Sequence, residues 1–216
     1  MTRRVWPWQH QSDLHSIAPD MNEMPQRTFV RRGDHVSIGR HLPSDRSSFM
    51  SWYQDADIAE LLRHDLAPLN AIQARGYFDS IILPSSNRGL CWAILRNHDD
   101  TLIGSTALVD LNDLTGLALF RIVIGEKEDW GKGYGTETTE LVLAEAFTRF
   151  DRKAVNLEVF AHNPRAHRAY QKAGFVQTGQ HREWVARAAR QIDVLEMQIT
   201  RDEWLSRAQH ANTNHI

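Results

Sequence analysis

Residues 1–27 carry no hydrophobic periodicity, only spaced prolines (Pro7, Pro19, Pro25) and the pair Trp6 and Trp8. Such a stretch reads as an N-terminal arm outside the main core, flexible or docking through its tryptophans on the domain or a second subunit. From Thr28 the text becomes that of a folded domain, taken to span 28–208, with 209–216 as a C-terminal tail. Residues 36–40 alternate as a strand does. Ser44 or Asp45 can cap a helix through Trp52, a second helix covers 58–63, and a third covers 68–82 with Leu69, Ile72 and Phe78 as its apolar positions. Residues 84–89 read as a loop. Three strand-like runs follow at 90–95, 102–110 and 117–124, separated by Asn97-His98-Asp99-Asp100 and Asn112-Asp113, which predicts an antiparallel meander. A helix over 135–150 places Leu143, Ala146, Phe147 and Phe150 on one stripe. A strand at 154–160, a helix at 164–173, strands from 175 and at 192–199, and a short helix at 201–208 complete the order. Strand, helices, three strands, helix, strand, helix, two strands is the signature of a single α/β domain with a mixed sheet.

Composition narrows the class. The chain has 216 residues, 42% hydrophobic and 24% charged, enough for one packed core plus an arm. Lys+Arg total 25 against Asp+Glu 27, so the basic excess of an electrostatic nucleic-acid binder is missing. No run is long and apolar enough to span a membrane, and the start lacks the apolar stretch of a secretory signal, so a soluble cytoplasmic protein is expected. The single cysteine, Cys91, rules out an intrachain disulfide and reads as a buried inert thiol. The histidines are scattered, and His162 and His167 lack an evident third ligand, so no metal is expected.

The richest chemistry lies in Ile122-Val-Ile-Gly-Glu-Lys-Glu-Asp-Trp130-Gly-Lys-Gly-Tyr-Gly-Thr-Glu137. A strand runs into a loop with glycines at 131, 133 and 135, and a helix begins there. Glycine lets backbone N–H groups approach an anion, and a helix start adds unpaired donors and a partial positive charge. Together they form a diphosphate cradle, to which Lys132 could add charge or else point to solvent. A tight turn without ligand is the alternative. The loop is not a Walker sequence, and Thr136 stands where a dinucleotide fingerprint needs its third glycine.

Trp130-Gly-Lys-Gly-Tyr-Gly-Thr-Glu resembles the acyl-CoA pyrophosphate loop of the GNAT N-acyltransferase superfamily. Downstream, Asn163-Pro-Arg-Ala-His-Arg-Ala-Tyr170-Gln-Lys-Ala-Gly174-Phe175 is similar to that family's Asn…Tyr-x-Lys-x-Gly-Phe segment. The tail from Asp193 to Trp204, and more loosely the opening Val36–Asp45 stretch, resemble the RimJ/RimL-like branch, which acetylates protein N-termini and, in relatives, small amines. The resemblance covers about residues 35–204. It implies a mixed, mostly antiparallel sheet flanked by helices, with two splayed strands that admit the pantetheine arm between 119–124 and 154–160. It also implies acetyl-CoA, or another short acyl-CoA, as co-substrate and no metal.

The implied reaction is attack of a neutral amine on a thioester. By resemblance, the backbone of Ile122, Val123 and Ile124 lines the pantetheine, and an N–H near Val123 donates to the thioester oxygen. Gly131, Lys132, Gly133, Tyr134, Gly135 and Thr136 hold the diphosphate. Asn163 bonds the CoA arm, although Asn-Pro before a helix that ends at Gly174 is also ordinary helix punctuation. The Tyr170 hydroxyl protonates the departing thiolate, the alternative being an amphipathic tyrosine packed at the sheet edge. The strand 117–121 lacks the carboxylate that many relatives carry as base. Glu158 is one substitute, read here as solvent-facing, and Asp110, His162 and Glu183 or a water chain are others. At neutral pH roughly a tenth of α-amines are uncharged against well under ~0.1% of lysines, so a weak base favours an α-amine acceptor. Arg182, Arg187 and Arg190 read as a hairpin rim that could steer an acidic acceptor or the CoA phosphates. The expected function is transfer of acetyl from acetyl-CoA to a primary amine, a protein N-terminus or a small molecule, in a ternary complex. The alternatives are a non-catalytic acyl-CoA-binding module, or an acyltransferase for a polyamine, antibiotic or siderophore. The acceptor cleft is expected from 44–82 and the 179–190 hairpin. No nucleic acid or membrane partner is expected, and the oligomeric state, a homodimer included, stays open.

Overall fold

The apolar and alternating runs of the sequence become strands of one sheet in the computed structural model, which describes residues 26–112 and 114–213. In chain order the strands are β1 (Phe29–Arg32), β2 (Val36–Gly39), β3 (Cys91–Arg96), β4 (Thr101–Asn112), β5 (Leu117–Ile124), β6 (Ala154–Phe160), β7 (Val176–Val185) and β8 (Arg190–Thr200). The helices are α1 (Arg46–Tyr53), α2 (Ala56–Leu62), α3 (Ala71–Tyr77), α4 (Leu83–Asn87), α5 (Tyr134–Thr148), α6 (Pro164–Ala173) and α7 (Arg201–Thr213). The sheet order is β1-β2-β3-β4-β5-β6-β8-β7, and only the β5–β6 pair is parallel. The expected meander is β3-β4-β5, antiparallel throughout.

Each face of the sheet has its own core. Leu108, Ala118, Phe120, Val155 and Leu157 meet Leu143, Ala146 and Phe147 of α5 and Tyr170 of α6. The alternate residues face α1–α4, where Cys91 and Val123 pack with Phe49, Trp52, Ile58 and Phe78. The strand period of two explains this division: in β5, residues 118 and 120 face α5, and 121 and 123 face the other way.

Three elements differ from the sequence reading. β1 lies in a stretch given no strand, because four residues at a sheet edge carry too short an alternation to register. Residues 84–87, read as loop, form α4, which continues from α3 through a π-helical turn at Phe78–Ile82. A proline inside a helix removes a donor and clashes with the preceding turn, and the wider π turn just before it relieves that conflict. Ile72, expected inward, is 85% exposed, since Phe78 and Ala74 define the buried stripe instead. The last helix runs to Thr213, past position 208 where the reading ended it. The proposed docking of Trp6 and Trp8 lies outside the described residues. Arg27, assigned to the arm, forms a two-point bond to the buried Asp45 carboxylate at 2.7 and 2.8 Å.

Candidate active site

β5 and β6 pair over only three positions, Leu117↔Ala154, Ala118↔Val155 and Leu119↔Asn156. Beyond them the strands part, while β5 keeps its ladder with β4 and β6 keeps its ladder with β8. The inner edges of 120–124 and 157–160 therefore carry backbone groups with no ladder partner across the gap. The gap opens into a cleft of about 900 Å3 reached from both faces of the sheet.

At the far end of β5 the glycine-rich loop is built on a buried ion cluster. The Asp129 carboxylate, wholly buried, takes Arg96 at 3.0 and 3.1 Å and Lys132 at 2.8 Å. Lys132, expected in the anion cradle, is thus turned onto Asp129 and does not line the cleft. Trp130 donates through Nε1 to the Ile124 carbonyl at 2.7 Å, and the Arg165 guanidinium lies 3.7 Å over its ring. Gly131 and Gly133 sit at φ +82° and +91°, the left-handed region that a side chain resists. Gly133 caps α5 without a side chain, so the N–H groups of Tyr134, Gly135 and Thr136 precede the first helical bond, Glu137 N to Gly133 O at 3.1 Å. At Gly135 the backbone is ordinary and a Cβ would meet nothing within 4 Å. No protein neighbour requires that glycine, and the space over the helix start suits an anion drawn close to bare amides. Residues 122–124, Gly131 and residues 133–136 all line the cleft.

The opposite wall is α6. The Asn163 Oδ1 accepts from the Ala166 N–H at 3.2 Å, Pro164 opens the helix, and Gly174 closes it at φ +101°. The Asn163 amide also donates to the Leu61 carbonyl at 3.5 Å, tying α6 to α2. Helix punctuation therefore occupies part of this side chain, which nevertheless borders the cleft. Tyr170, two turns on, reaches the same cleft. Its ring is buried edge-on against Phe120, with centroids 6.1 Å apart, and no described residue bonds its hydroxyl. Burial alone holds its pKa well above the usual phenol value. Arg165, Arg168 and Lys172 also line the cleft and were missed. Their spacing of three and four residues is a basic helical stripe, visible in the sequence once α6 is placed.

Of the expected bases, Asp110 and Glu158 border the cleft, whereas His162 and Glu183 do not. Asp110 sits at φ +51° in a register break of β4 between Val109 and Asn112, beside the point where β5 and β6 part. Glu158 is exposed, as expected, and also lines the wall because β6 has no neighbour there on the β5 side. His162 donates to the Glu60 carbonyl at 2.9 Å, and Glu183 is held by His64 at 2.7 Å. The 179–190 hairpin, expected to wall the acceptor side, contributes no residue to the cleft among the described ones. It braces the α2 region instead, through His64–Glu183 and Arg190–Glu60, and Arg182 is spent on Asp193. Cys91 is 1% exposed, and burial pushes its thiol up to about 12. Among the described residues no group of His, Cys, Asp or Glu is placed to hold a metal, and no helix is long and apolar enough to cross a membrane.

Comparison with known proteins adds four findings. Residues 38–176 match the acetyltransferase (GNAT) domain family. A spermidine N(1)-acetyltransferase of Vibrio cholerae is 29% identical over 116 residues, 54% of this chain and 66% of that protein, just short of two thirds of its length. Among solved structures, a GNAT-family acetyltransferase from Bacillus anthracis superposes with a TM-score of 0.68 at 13% identity, over 80% of this chain and 98% of that one. A spermidine N-acetyltransferase from Vibrio cholerae, solved with CoA and spermine, gives 0.68 at 20% identity over 80% and 99%. Both structural likenesses establish the fold.

Proposed function

The chain belongs to the acetyltransferase (GNAT) domain family, and from that premise we propose that it moves an acetyl group from acetyl-CoA to a primary amine by direct attack within a ternary complex. The observation that carries this reading is one cleft that joins an unpaired β5 edge, a side-chain-free helix start and a tyrosine whose ring is buried and whose hydroxyl no described residue bonds. The bare amides of Tyr134, Gly135 and Thr136 take the diphosphate, with Arg165, Arg168 and Lys172 facing it from α6. Pantetheine lies along 122–124 as an added strand, and a β5 amide near Val123 donates to the carbonyl as negative charge develops there. Asn163 borders the same arm.

The amine nitrogen bonds to the thioester carbon, the tetrahedral adduct collapses, and the carbon–sulfur bond breaks. Tyr170 gives its proton to the leaving sulfur, while Asp110 or Glu158 takes the proton released by nitrogen. An acyl-enzyme step has no support here, because the one thiol is held protonated by its burial. A simple CoA-binding module is the weaker reading, since it leaves the Tyr170 hydroxyl without a role.

For the acceptor, the sequence resemblance to the RimJ/RimL-like branch supports an α-amine, and the low pKa of such amines suits a site whose acids lie at the cleft edge. The relatives named for spermidine and spermine support a polyamine as the second reading. The test is thiol release from acetyl-CoA with an amine panel, followed by intact-mass analysis of enzyme mixed with acetyl-CoA alone. Amine-dependent release without an acetylated enzyme supports the reading. Tight CoA binding with no amine-dependent release overturns it.

A further inference from the structure

Several arginines in or near the cleft mouth are committed to carboxylates. Arg63 is paired with Asp65 at 2.8 Å, Arg46 with Asp79 at 2.7 Å, Arg96 with Asp99 and Asp129 at 2.8 and 3.0 Å, and Arg190 with Glu60. Two that line the acceptor half are not. The Arg121 guanidinium has no hydrogen-bond or ion-pair partner among the described residues, and the Arg88 guanidinium reaches only the Ser85 hydroxyl at 3.3 Å.

Their positions converge. Arg121 lies on β5 two residues past Leu119, the last to pair with β6. It faces the α1–α4 side, in a cross-strand row with Ala107 and Cys91. Neighbouring strands are ~5 Å apart, so this row spans ~10 Å from β5 to β3. Arg88 follows α4 three residues before Cys91, at the other end of the row. Two acids border the same mouth. Had the β5–β6 register continued, Glu158 would stand opposite Arg121, yet it leans to His64 at 3.7 Å. Asp110 stands at the base of the splay.

Two guanidiniums without a carboxylate partner and two carboxylates in one mouth suit a ligand with both charges, and a polycation would meet the guanidiniums unfavourably. We infer that the acceptor is an amine that also bears a carboxylate, the carboxylate bound by Arg88 and Arg121 and the amine turned to Asp110 and Glu158. The inference rests on the acetyl-transfer reading and narrows its substrate class. The carboxylate can belong to a free amino acid or to an acidic residue near a peptide N-terminus.

The experiment measures kcat/KM for matched acceptors with saturating acetyl-CoA. Serine is compared with serinamide, the amidated dipeptide Ser-Glu with Ser-Gln, and spermidine is run beside them. The carboxylate-bearing member of at least one pair should be favoured about tenfold, as one charge-assisted contact predicts. Preference in the first pair identifies a free amino acid, and preference in the second an acidic peptide. Arg121→Gln and Arg88→Gln should each bring that ratio toward one, and Arg121→Glu should shift relative preference to spermidine, with CoA affinity by calorimetry reporting that each variant is folded. Spermidine outrunning every carboxylate acceptor, or ratios that Arg121→Gln leaves unmoved, would overturn the inference while the acetyl-transfer reading stands. No turnover of any amine despite CoA binding would overturn both.

Discussion

Tyr170 combines two properties at the scale of a single side chain: it is buried, and its hydroxyl has no partner among the described residues. Burial disfavours the phenolate, so the group stays protonated across the working range. Tyr170→Phe should therefore lower kcat by about 100-fold with little change in CoA affinity, measured by steady-state kinetics and calorimetry. Because the phenol pKa is raised, a pH–rate profile should show no Tyr170 descending limb below pH ~10. Asp45 gives a second residue-scale case. Burial pushes its carboxyl up, but Arg27, His41 and the Leu42 N–H outweigh that and bring it down to about 2. A depressed acid stabilises the fold fully above its unfolded value, 3.8, and the contribution is lost as pH falls toward 2. Asp45→Asn should cost about 3 kcal/mol in urea unfolding at neutral pH, since it leaves Arg27 facing a neutral amide.

Elements separate glycines that the backbone requires from one that it does not. Gly131 is left-handed, so Gly131→Ala strains the loop and should lower stability by about 1–2 kcal/mol. Gly135 is not strained and its Cβ would find open space. Gly135→Ala should raise stability by up to ~1 kcal/mol by thermal unfolding, yet raise the acetyl-CoA KM about tenfold by intruding on the diphosphate. The β7–β8 hairpin provides an element-scale pH dependence. Hydrogen bonds donated to the Glu183 and Glu196 carboxylates raise the His181 pKa above 6.5. A raised histidine stabilises below its unfolded value and loses that contribution as pH rises through the folded one. Hydrogen exchange of 181–196 should accordingly quicken between pH ~6 and ~8 more than the intrinsic rate accounts for.

The whole molecule turns on a pairing that stops. Most of β5 and β6 have normal partners on their outer sides, and the cleft exists because the inner ladder ends after Leu119↔Asn156. Most element positions were legible, because strand and helix periods and the Asn-Pro…Gly punctuation of α6 are local. Residues 117–124, 154–160 and 164–173 coincide with β5, β6 and α6. The glycine loop, Asn163 and Tyr170 were legible for the same reason. What escaped the reading needed a third dimension. Lys132 is claimed by an aspartate whose burial no spacing reveals. Glu158 becomes a cleft residue only because its neighbouring strand turns away, and the hairpin braces α2 instead of walling the acceptor. Arg88 and Arg121, 33 positions apart in the chain, share one mouth only because β3, β4 and β5 lie side by side. Taken alone, the order of residues determined most helices and strands and the glycine-rich loop, since those depend on backbone geometry and neighbours a few positions away. Which charges stay unpaired, and therefore what the acceptor must carry, was decided by tertiary contact, because a charge is neutralised by what folds against it.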